Sequence, residues 1–374
     1  MPRQARLILI IPDEILLAIF IRVGTKDIGC CRCVSKSWCH ILSELDQDFI
    51  RGHLIQSKQC IDNELLMFKC HDSNKLFSGT IARQLSGDFT VVATKLTFDM
   101  SLKSRICGPS CDGLILLIED DKSTILLVNP TIKEVLELHI PSHDLDSHRR
   151  STSYGLGYDQ VNDDYKVVAL SGYFIEHDDE MKMFVNVYSV KKSTWKQVES
   201  CPYLYDYSGV FVGGSIHWIA SNYWDDSPFI ARFDLTEERI CKVPAPSAIN
   251  GDPCEYDVLM VLGGCLCICN SFPRDEINIW VMKEYGVLQS WTKFKLVAER
   301  GSEMIPYIGV PGQRELVVLK DYHTLDERFV VYNLDTLKFQ DMTIKGIKYG
   351  FGWYEGFRET LVSPYYNHTS IEPS

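Results

Sequence analysis

No stretch of about 18 uncharged apolar residues occurs in these 374 residues, which sets aside a membrane-spanning helix. The first apolar run, Leu7 to Ile11, lies between Arg3/Arg6 and Pro12-Asp13-Glu14 and is too short for a secretory leader. The expectation is a chain of the cytoplasm, the nucleus or both, with its 14 cysteines reduced. Positive charge is scarce: 38 Lys/Arg face 50 Asp/Glu, a net charge of −12. Such a chain is poorly suited to gripping a phosphate backbone, so no nucleic acid is expected, and a basic protein is the better-matched partner. A phosphate-cradling glycine loop and a Ser/His/Asp elbow are both missing. Cys30, Cys31, Cys33, Cys39 and His40 lack the second, suitably spaced pair of a structural zinc site. Cys265, Cys267 and Cys269 alternate, sharing one face of a strand, with no neighbouring histidine or cation to lower a thiol pKa. No catalytic residue, metal site or cofactor is therefore assigned.

What is present is a chain 45% apolar and 11% aromatic, an ordinary composition for a folded protein and long enough for a small domain plus a large one. Charge is unevenly placed. Residues 1–55 balance at +1, and the remainder carries −13.

Residues 11–50 read as three short helices. Pro12 opens the first, with Asp13 and Glu14 near its positive end. Ile15, Leu16, Ile19, Phe20 and Val23 make one broad apolar face, and Leu17, Ala18 and Ile21 extend it, so the helix must be covered on more than one side. Gly24 breaks the run and Thr25 is placed to cap a second helix, with Ile28, Cys31 and Val34 on its buried side. Ser35 is placed to cap a third, carrying Trp38, Ile41, Leu42 and Leu45. About 45 residues are few for a free-standing helical domain, so these helices pack either on their own chain or on a partner.

The rest of the chain is built of short β-rich runs punctuated by turn pairs. The pairs begin at Asp62, Asp112, Asp163, Gly213, Gly263 and Gly312, spaced by 50, 51, 50, 50 and 49 residues. A second strand–turn–strand element follows most of them, as in Val185–Tyr188 leading to Trp195. Several strands per fifty-residue repeat mark a propeller, whose blades bury one another's faces around an axis. Six copies predict about six blades, with a strand at Glu359 to Ser363 closing the ring.

Ile11-Pro12-Asp13-Glu14-Ile15-Leu16, Ile19-Phe20 and above all Cys31-Arg32-Cys33-Val34-Ser35-Lys36-Ser37-Trp38 resemble the F-box of plant F-box proteins. Tyr154–Asp159, Asp163–Val168 and Val281–Lys293 resemble the type 1 F-box-associated domain, which is kelch-like. S-locus F-box proteins and F-box proteins that restrain immune receptors share this architecture. The resemblance covers nearly the whole chain and implies a small all-α F-box at 8–55, an all-β propeller at 60–365 and a tail at 366–374. It further implies a non-catalytic, substrate-recognition subunit of a Skp–cullin–F-box ubiquitin ligase. Pro12, Ile15, Leu16, Ile19, Phe20 and Val34 would lie in or beside the Skp-adaptor interface, with cullin reached through that adaptor, and Trp38 would brace the helices. Gly24 and Gly29-Cys30 depart from the family pattern, which implies a weaker adaptor contact.

Two sets of residues are candidates for holding a client protein. The acidic groups Asp144/Asp146, Glu176 to Glu180 (with Asp178, Asp179 and Glu180) and Asp225/Asp226 each fall between strands; they are either solvated loop surface or a rim that steers a basic client. Tyr203, Tyr205, Tyr207, Tyr223 and Trp224 form aromatic-rich loops, either binding anchors or propeller filler. The residues alone also fit a propeller scaffold with no ligase role. An enzyme on a propeller is the weakest account, since His139, His143, His148, His177 and His323 lie in unrelated contexts.

Overall fold

The computed structural model describes residues 11–43, 45–59, 64–70, 75–84, 87–97, 104–119, 124–139, 149–175, 180–201, 203–222, 228–246, 258–270, 276–297, 304–310, 315–320, 328–333, 335–346 and 351–366. It opens with four helices rather than the expected three: α1 (Asp13–Phe20), α2 (Thr25–Cys31), α3 (Lys36–Ser43) and α4 (Gln47–Gln59). The fourth starts where the Asp46 carboxylate accepts the Phe49 N–H at 2.7 Å. It buries Phe49, His53, Leu54 and Ser57 along one face. Two of those four are polar, which is why periodicity of apolar residues did not reveal it. Ser35 caps α3 by accepting the Trp38 N–H at 3.1 Å. Thr25 does not cap α2. Gly24 takes the cap position, and the Thr25 hydroxyl donates instead to the Glu359 carbonyl at 3.0 Å. Val34 is not on a buried face either, because α2 ends at Cys31 and Val34 falls in the turn beyond it. Leu16, Phe20, Ile28, Leu42 and Phe49 form the helical core, and Trp38 packs edge-on to Phe20 with ring centroids 4.9 Å apart.

The strands follow in blade order. The first set is β1 (Glu64–Cys70), β2 (Lys75–Arg83), β3 (Phe89–Val92) and a short β4 (Thr94–Lys95). Next are β5 (Ser104–Ile106), β6 (Ile115–Glu119), β7 (Thr124–Asn129) and β8 (Glu134–His139), then β9 (Arg149–Asp159), β10 (Asp164–Ile175), β11 (Glu180–Ser189) and β12 (Thr194–Cys201). After them come β13 (Tyr203–Val212), β14 (Ser215–Asn222), β15 (Pro228–Asp234) and β16 (Arg239–Val243), then β17 (Val258–Leu262), β18 (Cys265–Asn270), β19 (Glu276–Met282) and β20 (Trp291–Val297). The last are β21 (Met304–Val310), β22 (Glu315–Lys320), β23 (Arg328–Asn333), β24 (Lys338–Lys345) and β25 (Phe351–Arg358).

β5–β8, β9–β12, β13–β16 and β17–β20 are four-stranded antiparallel sheets. The remaining sheet runs β21-β22-β23-β24-β3-β2-β1-β25, and its one parallel contact, β24 with β3, joins two further four-stranded units. The described strands thus make six blades. The first is closed by β25, which pairs with β1 from Glu64↔Arg358 to Cys70↔Phe351. The closing strand is therefore Phe351–Arg358, not Glu359–Ser363. The latter residues pair with no strand, because they run along the second blade, where Asn129 donates to the Thr360 and Val362 carbonyls at 3.1 and 2.7 Å.

Side-chain alternation explains why blade strands are apolar on both faces. Leu114, Leu116 and Ile118 pack toward the third blade with Tyr154, Leu156 and Val167. Ile115 and Leu117 pack toward the first with Leu65, Met67 and Phe357. In the same way Val168 with Trp218, Leu259 with Ile230, Cys267 with Tyr332, and Val317 with Phe68 fill the other four interfaces and complete the ring. Packing is close: a Cβ on Gly155 would sit 2.5 Å from Ile216 and 2.9 Å from Trp218.

The repeat's turn pairs are real hairpin ends. Gly213-Gly214 and Gly263-Gly264 have positive φ at both residues and link strands with a two-residue turn. The pairs at Asp62 and Gly312 lie outside the described residues. A second motif, unread in the sequence, seals four-residue turns. A strand ends in Asn, Asp or Ser, and its side chain accepts backbone N–H groups two or three residues on. Asn129 does so for Thr131, Asp159 for Val161 and Asn162, Ser189 for Lys192, Asp234 for Thr236 and Glu237, and Asn333 for Asp335 and Thr336.

Candidate functional site

The helical unit has an outside and an inside. Leu16 and Phe20 are 6% and 1% exposed, in its core. Ile15, Ile19 and Val34 are 53%, 48% and 64% exposed, and Ile11 and Pro12 are exposed beside them. One turn of α1 places Ile15 and Ile19 on the same side of the helix. The adaptor candidates thus divide into a surface group (Pro12, Ile15, Ile19, Val34) and an internal pair (Leu16, Phe20) that supports it. Exposing several large apolar side chains on one small helical unit is what a docking surface does.

The inner side of the unit meets the propeller. Leu54 of α4 belongs to the core between the second and third blades, with Ile50 against it, and Leu361 packs on the helices in return. Arg51 pairs with Asp163 at 2.6 Å and donates to the Tyr366 hydroxyl at 3.1 Å, and both contacts hold its guanidinium pKa above the ordinary value. Tyr158 and Tyr366 donate to the other oxygen of Asp163, and burial together with that contact raises the Tyr158 pKa. Lys58 pairs with Asp112 at 2.6 Å. Lys26 pairs with Glu359, and Arg358 donates to the Ser57 carbonyl. Tyr366, the expected first residue of the tail, is buried in this joint. Burial lowers the pKa of His53, whose Nε2 lies 2.8 Å from the Val23 carbonyl.

Asp112 and Asp163 define one end of the ring. The turn at Thr236 belongs to that end too, since its hydroxyl donates to Asp159 at 2.9 Å. β10 starts there and runs twelve residues, roughly 40 Å, to the far end. Glu180 begins the returning strand β11, at the far end. Tyr205 and Tyr207 are within strand β13, not on loops: residues 203–206 and 210–212 pair with β14, and Tyr207 sits in the irregularity between them. Tyr205 stands opposite Ala220, toward the far end. Asp178, Asp179, Tyr223 and Trp224 lie outside the described residues. Of the described client candidates, Glu180 and Tyr205 thus lie toward the end opposite the helices, and Tyr207 falls mid-strand.

Among the described residues no group of three His, Cys, Asp or Glu is placed to hold a metal ion, and no helix is long and apolar enough to cross a membrane. Cys267 is buried, and burial pushes its thiol up to about 12, the opposite of a reactive cysteine.

Residues 8–49 match the F-box domain, and residues 69–338 match the F-box associated beta propeller domain, most of the chain. This chain is an F-box protein of that family. It is 31% identical to F-box protein CPR1 of Arabidopsis thaliana, over 90% of this chain and 84% of that one. It is 27% identical to F-box/kelch-repeat protein At3g23880 of the same plant, over 76% and 78%. TolB from Acinetobacter baumannii superposes with a TM-score of 0.47 at 9% identity, covering 83% of this chain and 73% of that one. F-box proteins as a class bind the Skp adaptor of cullin ligases and serve as substrate receptors rather than catalysts.

Proposed function

We propose that this F-box protein is the substrate-recognition subunit of a Skp–cullin–F-box ubiquitin ligase in the cytoplasm or nucleus. Its helices hold the adaptor and its propeller captures a client protein for ubiquitination. The observation that carries this reading is the exposed apolar surface of Pro12, Ile15, Ile19 and Val34, left uncovered while Leu16, Phe20, Ile28, Leu42 and Phe49 pack into the helical core. Leu16 and Phe20 support it from beneath. The client is taken at the far end of the ring, where β11 begins at Glu180 and Tyr205 stands opposite Ala220, with Tyr207 further along the same strand. The propeller's negative charge favours a basic client.

The test is co-purification of the intact chain with a plant Skp adaptor, beside a Pro12→Ala/Ile15→Asp double variant. Both side chains are at the surface, so the variant folds. Binding by the parent and its loss in the variant is the expected result. A folded parent that binds no adaptor overturns the reading and leaves a propeller scaffold.

A further inference from the structure

α4 carries Arg51 and Lys58 seven residues apart, on one helix face and separated by roughly 10.5 Å of rise. They meet Asp163 and Asp112, on turns of adjacent blades. Asp112 occupies the left-handed position that glycine fills in the fourth and fifth blades: φ is +52° at Asp112, +59° at Gly213 and +56° at Gly263. Side chains adopt that conformation at some cost. Here the side chain is used fully. Lys58 pairs with one carboxylate oxygen, and the Tyr165 hydroxyl donates to the other at 3.0 Å. The carboxyl-terminal strap grips the same turn, where Thr360 Oγ1 donates to the Asp112 carbonyl at 2.7 Å. Asp163 collects Arg51, Tyr158 and Tyr366.

Lys58 and Arg51 are 52% and 44% exposed, and ion pairs this wet add little to stability. What they add is orientation to the apolar contact of Leu54 and Ile50, as charges do at interfaces. We propose that Asp112 and Asp163 are positioning residues: they lock the helical unit onto the ring in one orientation, so that ubiquitin reaches a restricted set of lysines on the propeller side. The consequence for ubiquitin transfer rests on the ligase reading above; the locking does not. Transfer by proximity depends on held geometry, and a loosened joint spreads it over more positions.

The test compares the full chain with Asp112→Asn/Asp163→Asn and with Arg51→Ala/Lys58→Ala. Asparagine keeps the left-handed turns. Spin labels at Ser37 on α3 and Thr343 on β24, both exposed, report the distance between helices and ring. The parent is expected to give one narrow distribution. Either double variant broadens it about twofold or more, as a single state gives way to an ensemble. The quadruple variant broadens it no further, since both pairs of substitutions break the same contacts. In the ligase reconstituted with plant Skp adaptor, cullin and conjugating enzyme, the lysines that become self-ubiquitinated spread over more sites, while adaptor capture is unchanged. A distribution as narrow as the parent's in either variant overturns the proposal, as does an unchanged lysine pattern. Absence of adaptor binding by the parent instead overturns the ligase reading, with the distances still deciding the joint.

Discussion

Replacing Lys166 by methionine keeps the aliphatic stem and deletes one charge from the seam between the third and fourth blades. Lys166 is buried. Its Nζ lies 3.0 Å from Asp159, 3.0 Å from Glu238 and 2.6 Å from the Leu235 carbonyl. Burial alone would lower its pKa, but Asp159 and Glu238 raise it above the ordinary value. Burial alone would likewise raise the Asp159 carboxyl; hydrogen bonds from Asn162, Lys166 and Thr236 overcome that and hold it low. The Glu238 carboxyl is also held low, Lys196 and Lys166 outweighing burial. Removing the shared cation leaves one fully buried carboxylate and one partly buried, so the expected cost is about 3–5 kcal/mol. Lys196→Met removes only the exposed partner of Glu238 and should cost about 0–1 kcal/mol. Denaturant unfolding followed by fluorescence reads both, since Trp218 lies in the core of the same seam. The sign with pH follows from the lowered carboxyls: the stabilisation is present at neutral pH and is lost as pH falls through their folded-state values. The gap between parent and Lys166→Met should therefore close in acid. A cost below about 1 kcal/mol at neutral pH would refute the reasoning, by showing that the site is wet.

Burial lowers the pKa of His217 to about 4, with its Nε2 held 2.6 Å from the Tyr285 hydroxyl and Nδ1 3.2 Å from the Val210 carbonyl. The unfolded chain takes up that proton first, so stability should fall as pH drops from about 6.5 toward 4. His217→Gln should flatten that part of a stability–pH profile. Gly29 lies inside α2, and a Cβ there would meet nothing within 4 Å. Gly29→Ala should therefore raise helical-unit stability by about 1 kcal/mol, read by hydrogen exchange in α2. Asn129 is fully buried and donates to two strap carbonyls while accepting the Thr131 N–H at 2.8 Å. Asn129→Ala should cost about 2–3 kcal/mol in a denaturant melt, and proteolysis should then cut first near residues 359–366.

How much of this was readable beforehand depended on the distance over which each feature is decided. The fifty-residue period and the Gly213 and Gly263 turns were legible, because a two-residue hairpin demands positive φ from adjacent residues whatever lies around it. The apolar face of α1 was legible for the same reason. The closing strand starts eight residues before the run that the sequence pattern predicts. Glu359–Ser363 is as plausible a strand as Phe351–Arg358 until its partner β1, far back in the chain at Glu64–Cys70, is known. Tyr205 and Tyr207 read as loop residues because tyrosine-rich, polar-spaced runs show no clean alternation, and only the pairing of β13 with β14, Tyr205 opposite Ala220, makes the run a strand.

Asp112 and Asp163 are the clearest division between the two levels. Chain order by itself determined that each stands at a turn and that neighbouring repeats carry them; that Arg51 and Lys58 share a helix emerged only with α4 in the structure. The first two are consequences of local conformation and of the repeat. Tertiary structure alone decided that these charges meet, that Leu16 and Phe20 turn inward while Ile15 and Ile19 stay outside, and that the strap at 359–366 binds helices to ring. The physical reason is that burial and ion pairing belong to pairs of surfaces. A residue's own neighbours in the chain set what it can do, and its neighbours in space select which of those it does.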